Sequence, residues 1–113
     1  VMLAEALANG TASADAYNFG PTDGAIAVRA VAERFMSGMG VSPERAITVE
    51  PSGEHETAVL EVDSTRARAA LGWRPRLDTA AAVDTTAAWY RDFLAGERPE
   101  RLVARDLDAY YAG

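Results

Sequence analysis

His55, the only histidine, stands between Glu54 and Glu56 in the run GEHET. An imidazole beside carboxylates is the beginning of a metal site. The rest of the chain does not complete it. It holds no second His at helical spacing and no Cys, so a zinc site lacks its ligands. A Ser/His/Asp set cannot be argued, because spacing along a chain does not reveal a triad. His55 and its neighbours therefore read either as a solvated loop or as groups that touch a ligand. Gly38-Met39-Gly40 contains a Gly-x-Gly, but it follows a helical pattern rather than a strand and lacks the third Gly of a dinucleotide fingerprint. All eleven positive residues are Arg, so the chain cannot supply a catalytic Lys.

Composition narrows the partners. A chain of 113 residues is one domain at most. Its net charge of -6 argues against a nucleic-acid surface, which needs a basic patch. No apolar run approaches the ~20 residues of a membrane helix, and no charged-then-apolar signal pattern opens the chain. The expectation is a soluble, cytoplasmic chain with no membrane contact. The start VMLAEALANG begins in mid-helical pattern, which suggests a fragment of a larger protein.

The elements that must position any site follow from periodicity. Leu3 and Leu7 are four apart, and Asn9-Gly10 stops that helix. Alternation of Tyr17 and Phe19 predicts a strand over 16–20, ended by Gly20-Pro21. Thr22 and Asp23 offer a cap for a helix carrying Val28, Val31, Ala32, Phe35 and Met39, ended by Gly38 and Gly40. Further strands are expected over 46–50 and 58–63. Asp63 or Ser64 caps a short helix with Ala67 and Leu71 on its buried side, and Pro75 cannot continue it. Asp78 or Thr79 caps the next helix, whose stripe of Val83, Ala87, Tyr90 and Leu94 is widened by Thr86, Trp89 and Phe93. So broad a face implies more than one packing neighbour. A last helical segment carries Leu102, Asp106 and Ala109 on one side. The fold class is α/β, with few short strands and several helices. Trp73, in a turn where a small residue would serve, suggests that the turn is clamped onto another body.

Four stretches together, MLAEALANG, AYNFGP, GEHETAVLEVDSTRARAALGWRPRL and TTAAWYRDFLAGE, resemble the C-terminal third of extended short-chain dehydrogenases that act as sugar-nucleotide epimerases and dehydratases. Leu71-Gly72-Trp73-Arg74-Pro75 is shared by much of that superfamily. Asn18-Phe19-Gly20-Pro21 together with His55-Glu56 is most similar to the CDP-glucose 4,6-dehydratases.

The resemblance implies that residues 1–113 are the small C-terminal substrate-binding lobe of a Rossmann-type enzyme, with the N-terminal NAD-binding domain absent. It implies a sugar-nucleotide-binding part of an NAD-dependent sugar-nucleotide dehydratase, with an epimerase as the nearest alternative. A free-standing protein-interaction module is the alternative from a different class. The family's Gly-rich loop and Tyr-x-x-x-Lys pair are not in this chain. It is therefore expected to have no catalytic residues, to bind neither NAD nor a metal alone, and to be inert in isolation. The substrate-binding residues implied are Asn18, His55 and Glu56, with Arg29 as a cation for phosphate. The partners implied are a CDP-glucose-like sugar nucleotide, the missing Rossmann domain, and a second copy by self-association through uncovered apolar surface.

Overall fold

The structure, a computed structural model, describes every residue except 14, 49–58, 61 and 113. In chain order its elements are α1 (Met2–Ala8), β1 (Ile26–Ala27), α2 (Val28–Gly38), α3 (Pro43–Ala46), β2 (Val59–Leu60), α4 (Thr65–Leu71), α5 (Thr79–Leu94) and α6 (Pro99–Ala112). The chain is mostly helical. Among the described residues the only ladder is antiparallel, pairing Ile26 with Leu60 and Ala27 with Val59. The expected α/β class thus resolves into an α-rich small domain with a minimal two-stranded ladder.

The differences from the periodicity have local causes. Residues 16–20 form no strand. Side chains, not a ladder, bind this segment: Arg66 donates to the Ala16 carbonyl at 3.2 Å, and the Ser64 hydroxyl donates to that of Gly20 at 3.4 Å. The alternation of Tyr17 and Phe19 instead places one ring against residue 13 and the other against Trp73. The strand expected over 46–50 is replaced at Ala46 by the end of α3, and Ile47 and Thr48 are irregular, while 49 and 50 lie outside the described residues. Ser42 at the N-cap, Pro43 in the first turn and Glu44 behind it favour that helix. Of the strand expected over 58–63, only Val59–Leu60 is paired. Thr22-Asp23 does not cap α2, whose N-cap is Ala27. Asp23 instead binds the start of α5.

The helices that form do so for legible reasons. Asp78 is the N-cap of α5, its carboxylate accepting from the Ala81 N–H at 2.7 Å. Gly72 ends α4 in the left-handed conformation at φ 64°, where a Cβ is disfavoured. Helices α2 and α5 make the closest packing. A Cβ on Gly38 would lie 2.7 Å from the Ala87 Cβ. Beside that contact, Arg34 grips Asp84 with both ends of its fork at 2.7 and 2.6 Å.

The core is small. Among the described residues only Ala67, Ala87 and Leu102 are buried apolar side chains, and Ser64 is buried with them. Tyr90 and Leu94, expected on the packed stripe of α5, are exposed, as is Ala109 of α6. The radius of gyration is 17.2 Å, against about 13 Å for a compact chain of this length. The accessible surface is 8502 Å², about 2,500 Å² more than the ~6,000 Å² expected for a compact monomer of this mass.

Candidate functional site

A cleft of about 580 Å³ opens between α2, the N-terminal half of α5 and two loops. Phe19, Gly20 and Pro21 form one wall, and Trp73 with Pro75 forms another. Val28, Val31 and Phe35 enter from α2, spaced three and four apart so that they share one helix face. Phe19 meets Trp73 edge to face, with ring centroids 5.2 Å apart. Two glycines make this convergence possible. Gly72 turns the chain out of α4 so that Trp73 can fold back. Gly20 lies so close to Val62 that a Cβ would meet the Val62 Cβ at 2.9 Å and its carbonyl at 3.1 Å. Among the described residues the walls are almost wholly apolar, and Asp78 is the one charged residue of that lining.

A second cleft, about 450 Å³, adjoins it and is lined by the hydroxyls of Thr22, Ser64, Thr65 and Thr79, with Asp63 and Arg68. The Asp23 carboxylate accepts from the Thr79 N–H at 3.0 Å and from its hydroxyl at 2.9 Å. These two bonds, the N–H first, hold its pKa below the ordinary carboxylate value. Asp63 is likewise lowered by hydrogen bonds from the Thr65 side chain and N–H. Asp23 and Asp78 already occupy the Thr79 and Ala81 N–H groups at the start of α5, and two carboxylates there disfavour an anion.

Of the implied substrate residues, Asn18 and Arg29 lie among the described ones. Asn18 is exposed beside Phe19, next to the apolar cleft. Arg29 is exposed in the first turn of α2, its Nε donating to the Glu33 carboxylate at 2.6 Å. It lines a separate cleft with Glu33 and Glu44, and two carboxylates beside a guanidinium disfavour a phosphate there. His55 and Glu56 lie outside the described residues. No group of three or more metal-ligating side chains occurs among the described residues, and no described helix is long and apolar enough to cross a membrane. The cleft-lining residues Val28, Phe35 and Val83 carry no signal in the sequence beyond helical spacing, which any packed face shares. Compared with protein-family models, with curated proteins and with solved structures, the chain matches none.

Proposed function

We propose that the chain is the substrate-binding lobe of an NAD-dependent sugar-nucleotide dehydratase of the CDP-glucose type, without catalytic activity of its own. One observation carries the reading. The motifs that bear the resemblance, Asn18-Phe19-Gly20-Pro21 and Gly72-Trp73-Arg74-Pro75, lie more than fifty residues apart and meet across a single cleft through Phe19 and Trp73. An apolar, aromatic-walled cleft suits a ligand that presents a flat or ring face. The chemical step would belong to another domain, since this chain has no Lys for a Tyr-x-x-x-Lys pair. NAD would likewise be held elsewhere, by a Gly-rich loop at a helix start that this chain lacks.

Trp73 is the natural reporter. Titration of the chain with CDP-glucose should change Trp emission saturably, and Trp73→Phe should remove that change. NAD should produce none. Saturable NAD binding, or no response to any sugar nucleotide, would sink the proposal. The exposed apolar surface also fits a protein-interaction module. A chain that ignores sugar nucleotides and pairs only with protein would favour that second reading.

A further inference from the structure

Phe19 and Trp73, the aromatic pair of the cleft, sit on segments without regular structure, residues 15–21 and 72–78. Among the described residues neither segment joins a backbone ladder. Each is held instead by an arginine that does not line the cleft. Arg66, on α4, brings its Nη1 to the Asp15 carboxylate at 2.8 Å and donates to the Ala16 carbonyl at 3.2 Å. The other end of that segment is held at Gly20, whose carbonyl accepts from the buried Ser64 hydroxyl. Phe19 is thus bracketed by two attachments to the start of α4. On the Trp73 side, Trp73, Pro75 and Leu77 line the cleft, and Arg76 among them turns away onto the last turn of α6. It donates to the Tyr110 carbonyl at 2.5 Å, and its guanidinium lies 5.1 Å from the Tyr110 ring centroid and 5.9 Å from that of Tyr111. A guanidinium suits both places, because its flat, fixed set of N–H groups serves two acceptors, or a carbonyl and a ring, together.

We infer that Arg66 and Arg76 are positioning residues of this cleft: from outside it they set how Phe19 and Trp73 meet, and so the shape of the wall that a ring-bearing ligand touches. The ligand's identity rests on the function proposed above; the shaping of the cleft does not. Both arginines are exposed, so each grip shifts a local equilibrium by roughly fivefold or less. That is too little to decide whether the helices fold. It is enough to decide how often an irregular segment sits in place. The two grips converge on one ring contact, 5.2 Å between centroids, so their losses should not add.

Fluorine NMR of the intact chain labelled with fluorotryptophan tests this without any ligand. The two Trp residues give two resonances, assigned by Trp73→Phe, and Phe19→Leu marks where the Trp73 signal falls once the ring contact is lost. Arg66→Ala and Arg76→Ala should each move the Trp73 signal toward that position with helical circular dichroism retained, and the double variant should move it little further. Tyr110→Phe, which keeps ring and carbonyl, should leave it in place. So should Arg98→Ala, which removes an exposed ion pair with Glu100 at the start of α6. If either Ala variant unfolds, the corresponding Arg→Lys variant is read in its place. A Trp73 signal unmoved in the folded Arg66 and Arg76 variants overturns the inference, as does an equal shift in Arg98→Ala. With CDP-glucose added, the same two variants should raise Kd by about two- to tenfold, the worth of one aromatic pair. A chain that binds no sugar nucleotide would remove the function proposed above, and the ligand-free resonances would still decide the roles of Arg66 and Arg76.

Discussion

At the residue scale, single atoms decide how closely elements approach. Gly38 sits where a Cβ would fall 2.7 Å from the Ala87 Cβ, and Ala87 is wholly buried. Gly38→Ala gains up to about 1 kcal/mol in helix propensity, but overpacking costs about 1–3 kcal/mol, so the net effect should be destabilising. A lower denaturant midpoint checks this, and adding Ala87→Gly should restore part of the loss because the two positions share one contact. The carboxylates supply a pH signature. Asp23 is held low by Thr79, Asp84 by Arg34, and Asp92 by Arg105. A carboxylate whose pKa is depressed on folding adds stability above its unfolded value, near 3.8, and that stability is lost as pH falls through the lower folded value. The melting temperature should therefore drop below about pH 4. Asp84→Asn should flatten that drop, and an unchanged acid profile would show that the Arg34 fork contributes nothing.

At the element scale, helix ends are where the sequence speaks most clearly. Asp78→Ala removes the acceptor for the Ala81 N–H and should cost about 1 kcal/mol, read as a lower melting temperature, whereas Asp78→Ser should retain most of the stability. Such caps made helix boundaries legible: Asn9-Gly10 follows α1, Gly72 follows α4 and Asp78 precedes α5. The strands were not legible, because alternation cannot tell a paired segment from an extended one held by side chains. Residues 16–20 have the pattern without the partner, and Ile26–Ala27 has a partner with too few residues to show a pattern. Asp23 misled for a related reason. A carboxylate before a helical run reads as that helix's cap, yet it serves α5, fifty-six residues away at Thr79. The candidate cleft was half legible. Trp73 stood out as too large for a solvated turn, but its partner Phe19 is set by the fold and not by spacing.

At the scale of the whole molecule, the open shape has a thermodynamic consequence. Denaturant sensitivity, the m-value, follows the surface newly exposed on unfolding. An unfolded chain of 12.0 kDa exposes about 17,400 Å². With 8502 Å² already exposed when folded, unfolding uncovers about 8,900 Å², against about 11,400 Å² for a compact chain of the same mass. The m-value of the dilute chain should therefore be about one-fifth below that of compact domains of equal length, and the heat capacity of unfolding should be reduced in the same direction. If apolar surface is covered by a second copy, both quantities should rise with protein concentration, and the melting temperature should rise with them by mass action. A hydrophobic dye should bind the dilute chain and be released as concentration increases. A full-sized m-value in dilute solution, with no dye bound, would mean that the monomer closes its own apolar clefts, the Phe19–Trp73 cleft included.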